Sequence, residues 1–199
     1  MERKNILTSV LLIANIAVAV IAFVMGMRNS GSSDFLRYSL TGTNPDVVRR
    51  FGLVPYLVKH GESYRLFTSM FIHSGLMHLL GNMYALYSFG RIVEGNLGWL
   101  RMGIIYLVSG LCGGVLVMMI SSQNTVTVGA SGAIFGLMGA AFAMALLLHK
   151  MGAIKSIGYC LAINLLITFA VPNISIGGHL GGLAGGIVMG FLFGKLALK

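Results

Sequence analysis

The chain has 199 residues, 56% of them hydrophobic and only 10% charged, whereas an ordinary soluble domain carries about 25% charged residues; a water-soluble fold of this size could not hide so much apolar surface. Fourteen Lys and Arg against five Asp and Glu give a net charge of +9. The basic residues are scattered at the ends of apolar runs, with no basic helix interleaved with aromatics, so they read as membrane orientation and set nucleic-acid binding aside.

Met1-Glu2-Arg3-Lys4 precedes an apolar run from Ile6 to about Met27. A secretory signal has a similar charged start but an apolar core of only about 7–15 residues, and no small-residue cleavage site follows, so the run is expected to be a retained first span. Residues 28–66 form the long polar stretch, with Asp34, Arg37, Asn44, Pro45, Arg49, Arg50 and Glu62. Its mixed apolar and basic segments, Val47-Val48 and Phe51 to Val58, suit short helices lying in the membrane interface. Further spans are expected at about 69–91, 98–120, 129–148, 153–171 and 177–196, joined by short connections. The whole of 1–199 then forms one domain, an all-α bundle of six transmembrane helices with a long interfacial first loop. Cys112 and Cys160 fall inside apolar segments and read as small buried hydrophobes.

Six spans return both termini to one side. Arg3, Lys4, Arg91, Arg101, Lys150, Lys155, Lys195 and Lys199 share that side, while the 121–128 and 172–177 loops hold no Lys or Arg. The excess of basic residues predicts cytoplasmic termini. The first loop, with six basic residues, runs against this pattern unless it lies in the interface.

Polar groups inside apolar helices are costly in lipid and face a bundle interior or a water-filled site. Four stand out: His78 and Asn82 in the second span, Ser131 at the start of the fourth and His179 at the start of the sixth. Taken singly, such a serine is ordinarily a packing residue, such a histidine an interfacial one and such an asparagine a helix-to-helix bridge. As a set they share a depth, because the second, fourth and sixth spans run in the same direction and each residue lies in the first half of its span. His78 and Asn82, four apart, share one helix face.

Glycines supply close approach. Gly178, Gly182, Gly186, Gly190 and Gly194 recur at every fourth position of the last span, with Gly177, Gly181 and Gly185 in a parallel row, and the fourth span has Gly132, Gly136 and Gly139. Small residues at this spacing let membrane helices pack with their backbones nearly in contact. Packing the fourth span on the sixth would bring Ser131 within reach of His179. Ser131 also lies in Gly129-Ala130-Ser131-Gly132, where flanking glycines permit an unusual turn and a helix N-terminus offers free N–H groups to an oxyanion.

With HSGLMHLLGN at 73–82, YLVSG at 106–110, GASGAIFG at 129–136 and GGHLGGLAGG at 177–186, the sequence resembles the rhomboid family of intramembrane serine proteases, in its bacterial-type, six-span form, over about Glu62 to Gly190. The resemblance implies a Ser131–His179 dyad without an acidic third member. His78 and Asn82 match the residues that stabilise the oxyanion together with the Ser131 backbone amide. His73 matches a further histidine of structural role, and Gly129 and Gly132 match the glycines of the serine motif. Two positions depart from the family pattern: Phe135 stands one turn after the serine where Tyr is frequent, and Tyr64-Arg65 replaces Trp-Arg in the first loop. An aromatic Phe135 can still stack on His179, and Gly182 and Gly186 share the face of His179.

The residues agree about the missing acid. Glu94 lies sixteen positions beyond His78, roughly 24 Å along a helix rising about 1.5 Å per residue, too far to orient a histidine near the outer end. The implied reaction is hydrolysis of a peptide bond in or near a transmembrane helix of another membrane protein, in a lipid bilayer, with no cofactor, metal or nucleic acid. The implied location is a bacterial cytoplasmic membrane, multi-pass, with the site opening to the outer side. Movement of the fifth span and the 172–177 loop is a candidate route for the substrate. A zinc protease is a poor fit, since His73 and His78 are five apart and no H-E-x-x-H motif occurs. A transporter fits poorly as well, for want of an inverted pair of broken helices.

Overall fold

A computed structural model describes residues 5–29 and 45–198. The sequence expectations concerning Arg3, Lys4, Asp34, Arg37, Asn44 and Lys199 lie outside the described residues.

In hydrocarbon every backbone N–H and C=O must be satisfied within the chain, so apolar segments fold as helices. Among the described residues the fold is all helical: α1 (Ile6–Asn29), α2 (Pro45–Phe51), α3 (Pro55–Lys59), α4 (Arg65–Thr68), a 3-10 turn (Ser69–Phe71), α5 (Leu76–Leu97), α6 (Trp99–Ile120), α7 (Ser131–Leu147), α8 (Met151–Ala170) and α9 (Ile176–Ala197). Prolines open α2 and α3, where their missing N–H removes no helical bond. Gly98, at φ 86°, lets the chain turn sharply between α5 and α6.

Four helices are long and apolar enough to cross a membrane: α1 over Ile6–Gly26, α6, α8 and α9. The protein is therefore read as integral to the membrane. The 17-residue α7 is apolar but shorter, and α5 is diluted by His78, Asn82, Arg91, Glu94 and Asn96. The outer surface carries large apolar side chains with high exposure, among them Ile13 at 67%, Met119 at 74% and Leu166 at 69%. Such a surface suits lipid as its solvent.

The centre of the bundle is α7, with 12 of its 17 residues buried. It is flanked most closely by α9, then by α6, α5 and α8. The two glycine rows of α9 serve different neighbours. Gly182 and Gly186 meet the carbonyls of Gly132 and Gly136 on α7, whereas Gly177, Gly181 and Gly185 meet α6 at Val117, Gly113 and Cys112. A close three-helix centre results, with α8 at its margin and only Ile157, Leu161 and Thr168 of that helix buried.

Against expectation, the helix carrying His78 begins at Leu76, after a 3-10 turn and a non-helical stretch through His73, and runs on to Leu97. The extra turns bring Glu94 to the start of α1. Its buried carboxylate accepts hydrogen bonds from the Leu7 amide (2.9 Å), the Thr8 amide (2.8 Å) and the Thr8 hydroxyl (2.6 Å). The free N–H groups of a helix's first turn are natural partners for an anion. Glu94 thus fastens α1 to α5.

Candidate active site

Ser131 is the first residue of α7 and His179 the fourth of α9. Glycine brings these two helix ends together. A Cβ added at Gly132 would lie 3.0 Å from the Gly178 carbonyl oxygen, and one at Gly182 would overlap the Gly132 carbonyl. The residues adjoining Ser131 and His179 are therefore in backbone contact. Ser175 caps α9, its hydroxyl accepting from the Gly178 amide at 3.1 Å, and so sets the direction in which His179 leaves the helix.

His179 is buried, 9% exposed. The Phe135 ring stacks on its imidazole with centroids 4.1 Å apart and planes inclined by 19°. The phenyl face holds the ring plane without the hydroxyl of the usual tyrosine. At the ring edge, His179 Nδ1 is 2.8 Å from Thr168 Oγ1 of α8. No hydrogen bond joins Ser131 to His179 among the described residues.

On the other side of Ser131, the second histidine is held with equal definition. The Ser74 backbone amide lies 3.3 Å from His78 Nδ1 and the Ser74 hydroxyl 2.9 Å from it. A backbone N–H can only donate, so Nδ1 is the lone-pair nitrogen and Nε2 carries the proton. His78 Nε2 stands 2.9 Å, and Ser131 Oγ 3.7 Å, from the point where a Cβ on Gly129 would sit. Gly129 has φ +123°, a backbone state that side chains resist, and its bare Cα keeps open the space between a proton donor and the serine oxygen. The buried Asn82 stands one turn along α5, its Nδ2 donating to the His78 carbonyl at 3.0 Å. His73 lies edge-on to His78, with centroids 5.2 Å apart and planes at 66°. As the first residue of α7, Ser131 also has a backbone N–H with no carbonyl of its own helix to receive it.

The loop before Ser131 is braced by the polar first loop. Leu53 and Thr127 exchange two backbone hydrogen bonds of 2.9 Å, the Tyr56 amide donates to the Gln123 carbonyl, and the Gly129 amide donates to the Ser69 carbonyl. Arg65 organises the brace: its guanidinium, 4% exposed as a residue, donates to the carbonyls of Arg49 and Gly52 and pairs with Glu62 at 2.7 Å. The Tyr64 hydroxyl donates to Glu62 at 2.9 Å. The hydrogen bond with Arg65, and next the one with Tyr64, hold the Glu62 carboxyl below its ordinary value.

The Rhomboid domain family matches residues 60–196 of this chain. The chain belongs to the rhomboid family. Among its relatives, the Rhomboid protease GluP of Bacillus subtilis is 38% identical over 86% of this chain and 32% of its own length. YdcA of the same organism is 37% identical over 68% of this chain and 69% of its own. RHOMBOID-like protein 1 of Arabidopsis thaliana is 36% identical over 70% of this chain and 37% of its own. This rhomboid spans between about a third and a half of the length of the first plant relatives it matches.

All the residues singled out in the sequence border one region of this rhomboid: Ser131, His179, His78, Asn82, His73, Phe135, Gly129 and Gly132, with Gly182 and Gly186 behind them. Two polar neighbours were not anticipated. Ser74 precedes α5, so no helical spacing flags its approach to His78. Thr168 was within reach of the reasoning applied to Asn82, being a polar residue four positions after Asn164 in an apolar run.

Proposed function

We propose that this rhomboid is an intramembrane serine endopeptidase that cleaves transmembrane protein substrates with a Ser131–His179 dyad. The observation that carries the reading is the glycine-mediated backbone contact of α7 and α9 beside both residues, opposite a histidine whose Nε2–H faces the Gly129 gap. His179 Nε2 takes the Ser131 proton while Oγ bonds to the scissile carbonyl carbon. The negative charge that moves to the carbonyl oxygen is met by the Ser131 amide, His78 Nε2–H and the remaining Asn82 N–H. His179 then passes its proton to the amide nitrogen, the C–N bond breaks and the amine leaves. Water, deprotonated by the same imidazole, releases the acyl group and restores Ser131.

The chain is read as one domain of six spans, with the more polar α5 and the shorter α7 crossing beside the four other apolar helices and α2 and α3 lying in the interface. The site opens on the side of the 121–128 and 172–177 loops, and basic residues at the opposite helix ends favour cytoplasmic termini; the location proposed with this is a bacterial cytoplasmic membrane. Since a nucleophile needs an extended backbone, the substrate helix must unwind locally near its outer end. The margin of the bundle at α8 is the side on which least packing opposes its approach.

The test uses the whole protein in detergent micelles with a fluorophosphonate label and a reporter transmembrane substrate. Wild type should label at Ser131 and cleave; Ser131→Ala and His179→Ala should do neither. Equal cleavage by wild type and Ser131→Ala would refute the serine mechanism, whereas a wild type that neither labels nor cleaves would favour a rhomboid that only binds membrane helices.

A further inference from the structure

Catalysis by an unassisted histidine poses a physical problem. A neutral imidazole has two tautomers, and only the one with its proton on Nδ1 offers a lone pair at Nε2 to the serine. In many serine hydrolases a carboxylate selects that tautomer. Here Glu94, the one carboxylate among the described residues of α1 and α5 to α9, is committed to α1. Phe135 fixes the plane of the His179 ring but not its rotation within that plane, since a phenyl face has no directional acceptor.

Resting on the protease reading above, we infer that Thr168 is the positioning residue of the dyad, selecting the Nδ1–H tautomer of His179 and fixing its rotation. Thr168 is 2% exposed, so its hydroxyl must find its partners within the protein. Its Oγ1 lies 2.7 Å from the Asn164 carbonyl oxygen, one turn earlier on α8, and 2.8 Å from His179 Nδ1. A carbonyl only accepts, so the single hydroxyl proton goes to Asn164. The lone pairs of Oγ1 are then what His179 meets, and Nδ1 must bring the proton. In the opposite tautomer, the hydroxyl would turn to Nδ1 and leave two oxygens 2.7 Å apart with no hydrogen between them.

The hydrogen bonds therefore run in one direction, from His179 Nδ1–H to Thr168 Oγ1 and from Thr168 O–H to the Asn164 carbonyl. The direction is unchanged when Nε2 gains the serine proton, because Nδ1 remains a donor in the imidazolium. The support needs no rearrangement during the reaction, as preorganisation requires. It is also uncharged, which avoids desolvating a carboxylate inside an apolar bundle. Ser74 acts in the opposite sense on His78. The two histidines on either side of Ser131 are thus held in opposite tautomers, one to take a proton and one to donate a hydrogen bond.

The experiment compares wild type, Thr168→Val, Thr168→Ser, Ser131→Ala and His179→Ala as full-length protein in micelles. It measures cleavage kinetics, thermal stability and the imidazole nitrogen spectrum of 15N-histidine-labelled protein. In wild type at neutral pH, His179 should be protonated at Nδ1 and bare at Nε2. Thr168→Val should mix the tautomers and lower kcat about ten- to hundredfold, the scale of a lost buried hydrogen bond, with KM changed less than about twofold. Thr168→Ser should restore kcat to within about threefold of wild type, since the hydroxyl returns. A wild-type spectrum with Nδ1 bare overturns the inference without recourse to any variant, and so does a Thr168→Val enzyme with wild-type kcat. If Ser131→Ala and His179→Ala are inactive while Thr168→Val is unimpaired, only the role of Thr168 fails. Activity surviving in Ser131→Ala or His179→Ala removes the dyad itself.

Discussion

The α7–α9 interface makes a graded prediction for glycine-to-alanine substitutions along a single helix. A methyl at Gly186 would overlap the Gly136 carbonyl and stand against its Cα, and both are helix backbone that cannot swing aside. At Gly190 the nearest atoms are also backbone but less close, Ala140 Cα at 2.6 Å and its oxygen at 2.9 Å. At Gly194 the close atom is the tip of a leucine side chain, Leu147 Cδ1 at 2.6 Å, with Met144 Cγ next at 3.7 Å. Gly95, exposed on α5, has nothing within 4 Å. Restoring normal contact at Gly186 requires α9 to move bodily from α7, and overpacking of this kind costs about 3 kcal/mol, near the upper end of its usual range. For a chain of this size that lowers the melting temperature by on the order of 10 °C. Gly190→Ala should cost about 2 kcal/mol and Gly194→Ala less than about 1, because a leucine rotamer can change. Gly95→Ala should be neutral or stabilising by up to about 1 kcal/mol through helix propensity. Thermal unfolding in detergent reads the series, and fluorophosphonate labelling of the still-folded protein reads the alignment of Ser131 with His179, which should suffer most in Gly186→Ala. Equal melting temperatures for Gly186→Ala and Gly194→Ala would refute the claim that backbone contact holds this interface.

Three further outcomes are expected. Gly129→Ala meets both an unfavourable φ of +123° and the His78 ring at 2.8 Å; it should destabilise by about 1–3 kcal/mol and, on the proposed mechanism, reduce cleavage at least about a hundredfold by closing the proposed oxyanion space, measured by melting and by turnover. Glu94→Gln keeps the shape but replaces one acceptor oxygen by a donor facing the α1 amides, and should cost about 2–4 kcal/mol of stability in the same unfolding assay. The Glu62 carboxyl is held below its usual 4.5 by Arg65 first and Tyr64 second. The brace it forms is therefore at full strength above that value and is lost as pH falls through the lower, folded-state pKa. Melting temperature should drop on acidification through this window, and Glu62→Gln should flatten that part of the profile.

Much of the candidate site was legible because membrane chemistry makes polar residues conspicuous. Ser131, His179, His78 and Asn82 stand out in apolar runs for a physical reason, the expense of burying them, and the glycine periodicity states which helices approach closely. Helix limits were less legible: the second apolar run was expected to begin at 69, yet α5 starts at Leu76. Apolar composition continues through Met70, Phe71 and Ile72 whether or not the backbone is helical, so hydropathy alone cannot register the change. The brace between Leu53 and Thr127, which joins residues far apart in the chain through backbone atoms, has no side-chain signature at all.

By itself the sequence determined the membrane as solvent, the all-helical class and the small set of polar residues that had to face inward, because each of these follows from local composition and period. The tertiary structure alone decided how those residues are aimed. It assigns one glycine row of α9 to α7 and the other to α6, directs Glu94 to the start of α1 instead of to a histidine, and brings Thr168 from the marginal α8 to the edge of the His179 ring. Orientation of this kind depends on where separate helices stop and which faces meet, and that is settled only when backbones come within van der Waals contact.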